Sequence, residues 1–196
     1  MNPPGTEALN RQALEVTSEA EIGLVAQAQR GDREAFNEIV RRHRQGVINV
    51  VYRMCGDASL AEDAAQAAFL KAWQHLAGYR PRAPFRSWLY RIAVNAALDL
   101  LRQDRPTLEI EHVQVASPDR DLEEQAEQRE RGEMVRKAVL SLPPASRAVL
   151  VLREYERLSY EEIAEALDIP AGTVMSRLSY ARTKLCEMLK PLLEAA

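Results

Sequence analysis

Apolar residues recur at three- and four-residue spacing along most of the chain, and alternating strand-like runs are nearly absent. One such series is Leu60, Ala64, Ala67, Ala68, Leu70 and Trp73. The helix-start pattern Ser-x-x-Glu, in which serine caps a backbone N–H and glutamate reaches back, occurs at Ser18/Glu21, Ser59/Glu62 and Ser159/Glu162. Gly31, Gly56 and Gly78 stand where such helices stop. The pattern predicts helices at about 19–30, 33–55, 60–77 and 85–103, then at about 122–141, 144–156, 159–167 and 170–189. Pro143-Pro144 separates two of the later ones, because proline cannot continue a helix interior. The expected fold is therefore all-α, with two small helical domains joined by an acidic linker, the C-terminal domain being a helix-turn-helix. The boundaries predicted are a flexible tail at 1–17, an N-terminal domain at 18–104, the linker at 105–121 and a C-terminal domain at 122–196.

Composition narrows the class. With 46% hydrophobic and 28% charged residues, the chain can build a core and is neither disordered nor fibrous. No apolar run approaches the roughly 20 residues that cross a bilayer, and Met1–Thr17 has no basic and apolar leader, so a cytoplasmic protein is expected. Cys55 and Cys186 lack metal-ligand spacing and are expected to be buried, reduced thiols. The net charge of −3 hides an uneven distribution: Ser18–Arg105 carries 13 Lys+Arg against 10 Asp+Glu, whereas Pro106–Arg131 carries 3 against 8. Phosphates respond to charge within about 10 Å, so the segments matter more than the total.

Leu158–Lys184 reads as a helix-turn-helix. Ser159 through Leu167 form a short capped helix with Ile163 and Leu167 on one face and a small Ala164 at the helix crossing. Asp168 takes the left-handed turn position, Ile169 plugs the turn, and Pro170 opens the second helix, where a missing N–H costs nothing. Val174, Leu178 and Leu185 form its buried stripe. Thr173, Met175, Ser176, Arg177, Ser179, Tyr180, Arg182 and Lys184 occupy the remaining faces. Ala171–Cys186 holds three basic residues and no acidic one, whereas Glu154–Asp168 holds six acidic residues and one arginine. A basic, hydroxyl-bearing helix on an acidic scaffold suits major-groove docking; a hairpin packed on its own domain is the plainer alternative.

Gly78–Arg105 is the other informative stretch. Four of the eleven aromatic residues lie between Tyr79 and Tyr90, and six arginines from Arg80 to Arg105 face only Asp99 and Asp104. Aromatics interleaved with arginine suit single-stranded DNA, whose bases stack while its phosphates need neutralising. Trp88, Leu89, Ile92 and Leu100 at helical spacing fit a core equally well, and Trp88 stands evenly between the two roles.

Together these motifs resemble bacterial alternative sigma factors of the extracytoplasmic-function (ECF) type, over roughly Glu21 to Leu189. Gly31-Asp32 with Ala35-Phe36 is similar to the family's first conserved region. Ala61-Glu62-Asp63 through Gln66, Phe69, Leu70, Ala72 and Trp73 resembles its polymerase-binding helix, although Ala67 stands where glutamate is common. Phe85 through Ala93, with Asn95, Asp99 and Arg102, resembles its −10 recognition and melting region. Leu142-Pro143 with Arg147, and Ser159–Ala164 with Gly172–Val174, Ser176–Leu178 and Ala181-Arg182, resemble its −35-reading domain. Met175 and Tyr180 stand where basic residues are usual, and Asp168 replaces the common turn glycine.

The resemblance implies a non-enzymatic factor, without cofactor, metal or small-molecule substrate, that binds core RNA polymerase and directs promoter recognition, opening and transcription initiation. Its implied core-polymerase contacts are Asp63, Gln66, Phe69, Leu70 and Trp73. The implied −10 contacts are Tyr79, Arg80, Arg82, Phe85, Arg86, Ser87, Trp88, Arg91, Asn95, Asp99 and Arg102, with an unpaired base captured near Tyr79–Ser87. The second helix of the helix-turn-helix would read the −35 element. The linker's Asp119 and Asp121, with Glu123 and Glu124, would enter a basic channel or serve as a solvated tether. The implied partners are core polymerase, promoter DNA and an anti-sigma factor, membrane-bound or soluble. A stand-alone regulator of duplex DNA is the competing reading, and it leaves Tyr79–Arg102 without a role. An enzyme is disfavoured, since His43, His75 and His112 are scattered and no glycine-rich phosphate loop exists.

Overall fold

The computed structural model describes residues 19–80, 84–103 and 122–194. Among them are helices α1 (19–29), α2 (Arg33–Cys55), α3 (Ala58–His75), α4 (Phe85–Gln103), α5 (Leu122–Ser141), α6 (Pro144–Leu150), α7 (Tyr160–Leu167) and α8 (Ala171–Glu194), and no strand. The linker, with Asp119 and Asp121, and the N-terminal tail lie outside the described residues, and of Glu123 and Glu124 only the backbone is described.

Asp32 starts α2, its carboxylate accepting the Glu34 and Ala35 N–H groups at 2.9 and 3.1 Å. Gly56 ends it with a left-handed backbone, φ 81°, and an N–H donated to Tyr52. The inner face of α2 carries Ile39, Val47, Val50, Val51 and Met54. Alanines at 61, 64, 65, 68 and 72 line the inner face of α3, letting α2 and α4 approach closely. The cap of α3 corrects the sequence expectation: Asp57, not Ser59, accepts the Leu60 N–H, at 2.8 Å. Ser18 is outside the described residues, and the Glu21 carboxylate is engaged by His43 at 2.7 Å. At its C-terminal end α3 passes through a 3-10 turn, Leu76–Gly78.

The C-terminal unit closes around Val149, Leu150, Val151, Leu152, Ile163, Val174, Leu178 and Ala181. The helix predicted over 144–156 is present, but from Val151 to Tyr155 it widens to a π-helix. Ala181 joins the buried stripe of α8 and Leu185 only flanks it. Cys186 is exposed, against the expectation of burial, because it lies well round the helix from that stripe; Cys55 is buried as expected. The second helix also runs five residues beyond its predicted end, to Glu194.

The two units pack on each other, and their buried residues form one cluster. At one end, Arg147 of α6 donates to the carbonyls of Met54, Leu140 and Leu142, and Arg136 donates to the Gly56 carbonyl at 3.1 Å. Both guanidinium groups thus complement the C-terminus of α2, where carbonyls lack helical partners. At the other end, α4 lies against α7.

Candidate nucleic-acid and polymerase interfaces

The helix-turn-helix is built by local signals. Ser159 and Glu162 form the full capping box, with the Glu162 N–H on Ser159 Oγ at 3.1 Å and the Ser159 N–H on Glu162 Oε2 at 2.7 Å. Asp168 sits at φ 55°, ψ 49°, and the Ile169 N–H closes the turn on the Ala164 carbonyl at 3.0 Å. With Val174, Leu178 and Ala181 turned inward, α8 exposes Met175, Ser176, Ser179, Tyr180 and Arg182, while Thr173, Arg177 and Lys184 are partly buried. The Ser176 hydroxyl donates to the Thr173 carbonyl, which leaves its lone pairs free to accept. Of the three cations, Arg182 is bound by Glu154 at 2.6 Å and Lys184 by Glu187 at 2.7 Å. Arg177 has neither ion pair nor hydrogen bond among the described residues.

On α3 the five residues singled out from sequence share one side. Gln66, Phe69, Leu70 and Trp73 line a groove of about 440 Å³ against α2, and Asp63 lines an adjoining hollow with Gln66 and Phe69. Leu70 is 60% exposed, while Phe69 is buried and forms the floor. Ala67 is exposed and lines neither hollow. The sequence reading missed the opposite wall, Phe36 and Val40 of α2; Phe36 meets Trp73 with ring centroids 4.8 Å apart. The only sequence signal for that wall was the apolar Ala35-Phe36 pair at the start of α2.

The arginine- and aromatic-rich stretch divides in two. Tyr79, Phe85 and Trp88 form a cluster with centroids 5.2 to 5.4 Å apart, joined by His43 at 5.8 Å from Phe85. Phe85 and Tyr79 are buried and Trp88 partly so, which makes Phe85 a support of the surface and not an exposed contact. Tyr79, Arg80, Ser87, Trp88 and Arg91 surround a small cavity of about 50 Å³, closed by Glu165 and Ala166 of α7. Asn95, Asp99 and Arg102 lie apart, exposed further along α4, with Arg102 and Asp99 paired at 3.2 Å. Arg82 is outside the described residues.

Four cross-domain contacts were not anticipated. Arg86 reaches Glu162 Oε1 at 3.3 Å, Ser87 Oγ lies 3.5 Å from the same oxygen, Tyr90 donates to Glu156 at 2.6 Å, and Arg91 reaches Asp168 at 3.4 Å. Burial pushes the Glu162 carboxyl up, but the Ser159 N–H and Arg86 outweigh it and hold the group below its ordinary value. Burial, then the Glu156 bond, raises the Tyr90 hydroxyl far above its usual range, which keeps it a donor.

Two family models match the chain: sigma-70 region 2 over residues 39–107, which spans α3 and α4, and sigma-70 region 4 over residues 132–185, which spans the helix-turn-helix. The chain is 36% identical over 195 residues to RNA polymerase sigma-H factor of Pseudomonas aeruginosa, covering 92% of this chain and 100% of that protein. It is 35% identical over 181 residues to ECF RNA polymerase sigma-E factor of Escherichia coli K12, covering 87% and 94%. Among solved structures, CnrH in complex with the cytosolic domain of CnrY superposes with a TM-score of 0.67 at 29% identity, over 86% of this chain and 96% of that one. RpoE of Bartonella quintana in complex with the anti-sigma factor NepR shares the fold, with a TM-score of 0.63 at 23% identity over 79% and 96%. A helical unit with a grooved face, paired with a helix-turn-helix unit and matched by both region models, defines a sigma-70-type initiation factor. The chain belongs to the ECF sigma factors, and as an alternative sigma factor it directs transcription initiation with RNA polymerase.

Proposed function

We propose that the two units divide promoter recognition between them, as boundaries at 18–104 and 122–196 imply. The groove of Phe36, Gln66, Phe69, Leu70 and Trp73 docks a helix of core RNA polymerase. An open apolar trough of about 440 Å³ with an exposed leucine on its rim suits an amphipathic helix. Arg80, Arg86, Ser87, Trp88, Arg91 and Asn95 hold the −10 element, and the cavity beside Tyr79 and Trp88 takes an unpaired base once α7 has moved away. Thr173, Ser176, Arg177, Ser179 and Tyr180 read the −35 element, with Met175 against thymine methyls. The observation that carries this reading is the outward face of α8, on which Arg177 alone among the three cations is uncommitted.

In this reading the factor is cytoplasmic and does no chemistry of its own. Among the described residues no helix is long and apolar enough to cross a membrane, and no group of histidine, cysteine and carboxylates is arranged to hold a metal. Its partners are core polymerase, promoter DNA and an anti-sigma factor, the last because RpoE of the same fold has been solved with the anti-sigma factor NepR. Run-off transcription from genomic fragments with purified core polymerase tests it. New transcripts should appear only when this chain is added. Tight, specific operator binding by the chain alone, with no transcripts, would favour the stand-alone regulator instead.

A further inference from the structure

Helix α1 carries none of the residues assigned above to DNA or to polymerase, yet its last residue reaches the start of the stretch assigned to the −10 element. The side-chain amide nitrogen of Gln29 donates to the Leu76 and Tyr79 carbonyls, each at 3.0 Å, across 47 and 50 positions of sequence. We propose that Gln29 is a positioning residue for −10 capture. By clamping the turn at Leu76–Tyr79 it fixes where the Tyr79–Ser87 stretch leaves α3, and with it the fit and identity of the captured base. The proposal rests on the −10 reading of that stretch.

The clamp is held firmly at both ends. On one side, Val25 and Ala28 bury α1 in the core. Gly31, with φ 92°, ends the helix by donating its N–H to the Ala28 carbonyl at 3.0 Å. Asp32 follows at once and caps α2, so Gln29 sits beside a joint that two helices hold. On the other side, Leu76 is buried, and the Tyr79 N–H closes the 3-10 turn on the Leu76 carbonyl at 3.0 Å. The buried Tyr79 ring meets Phe85 and Trp88 at centroid distances of 5.4 and 5.2 Å.

The chemistry suits glutamine. Leu76 and Tyr79 present two acceptors, and a primary amide nitrogen carries two N–H groups, one for each. Each carbonyl also receives a second donor, the Tyr79 N–H at Leu76 and Arg80 Nη1 at Tyr79, 3.2 Å away. Both lone pairs of both oxygens are then used. The consequence falls on the cavity proposed for the base, which is lined from two elements: Tyr79 and Arg80 from the clamped turn, Ser87, Trp88 and Arg91 from α4. Gln29 therefore sets the register of one wall against the other. Its removal moves the −10 residues and changes none of their chemistry.

The test uses holoenzyme formed from the full chain and core polymerase, on a promoter recovered by run-off transcription. Gln29→Met keeps the length and removes both donors, and Gln29→Lys puts a donor of similar reach back. Trp88→Ala reports on the −10 reading itself. Opening is read by permanganate reactivity of −10 thymines, and closed-complex affinity by anisotropy on the duplex. Base preference is read by opening on templates carrying each of the four bases in turn at the −10 positions. Gln29→Met should bind core and the closed duplex as the wild type does. It should open about five- to thirtyfold less, as expected for the loss of one or two hydrogen bonds, and lose preference among the bases. Gln29→Lys should recover most of both. Wild-type opening by Gln29→Met, with weakened opening by Trp88→Ala, overturns the positioning and leaves the −10 reading standing. Normal opening by Trp88→Ala overturns the −10 reading and the proposal with it. A Gln29→Met loss that falls equally on core binding, that spares base preference, or that Gln29→Lys does not recover assigns Gln29 to folding alone and also overturns the proposal.

Discussion

Glu154 sets how much of the α8 charge reaches DNA, and its removal gives a measurable salt signature. Arg182 donates to one Glu154 oxygen through Nη2 at 2.6 Å and Nε at 3.1 Å, and Lys184 is held by Glu187 at 2.7 Å. Of three cations between Thr173 and Lys184, one is thus free to meet a phosphate or a base. Each neutralised phosphate contributes about 0.9 to the slope of log affinity against log salt. Glu154→Gln releases Arg182 and should steepen that slope by about 0.9. The pair is about half exposed, with side-chain exposures of 52% and 46%, so breaking it withholds little. An exposed pair is worth about 0.2–1 kcal/mol, which corresponds to a gain in low-salt affinity of about 1.5- to 5-fold, with the lower half expected here. The assay is fluorescence anisotropy of holoenzyme on one promoter duplex across a salt series, with Arg182→Ala as the control. Parallel lines for wild type and Glu154→Gln would refute the reasoning. So would a wild-type slope that Arg182→Ala flattens by the full increment, because Arg182 would then already reach phosphate past Glu154.

Other perturbations test separate parts of the structure. Gly56→Ala forces a Cβ into a left-handed backbone and within 2.7 Å of Leu140, which should cost about 2–4 kcal/mol in urea unfolding, with loss under about 1 kcal/mol counting against the geometry. The Glu21 carboxyl is held below its usual 4.5, first by the His43 hydrogen bond, so it stabilises the fold above about pH 4.5 and loses that contribution as pH falls through its lowered folded value. Glu21→Gln should therefore be less stable at neutral pH and should flatten the stability profile below pH 4.5; an unchanged acid limb would contradict this. Leu70→Glu leaves the core untouched, since Leu70 is 60% exposed, yet should weaken core polymerase binding about tenfold or more in a competition assay.

What was legible in the sequence was local. Ser159, Glu162, Asp168 and Pro170 specify α7, the turn and the start of α8 within a dozen residues, and each does in the structure what its type suggests. The sequence misplaces the α3 cap because Asp57 and Ser59 both suit an N-cap, and the earlier carboxylate wins by adding two residues to the helix. The π-helix at Val151–Tyr155 left no periodic signature: Val149 through Leu152 are all buried, because both units press on that segment. Cys186 was misjudged because its helix is covered on a narrower side than its apolar content suggests. The contacts of α4 with the helix-turn-helix unit join residues 66 to 77 positions apart, and no local pattern encodes such pairings. Their one trace in the sequence was the acidic excess beside a DNA-reading helix.

The division of labour between α4 and α8 is tested most directly by permanganate footprinting of thymines in holoenzyme complexes formed with Arg177→Ala and with Asn95→Ala. Both side chains are accessible and neither is in the buried core, so each substitution should leave the fold intact. Arg177→Ala should lose about 1–3 kcal/mol of closed-complex affinity at one −35 position, with normal thymine reactivity once bound. Asn95→Ala should bind the closed promoter normally and show weakened reactivity. Equal losses at both steps for both variants would contradict the account.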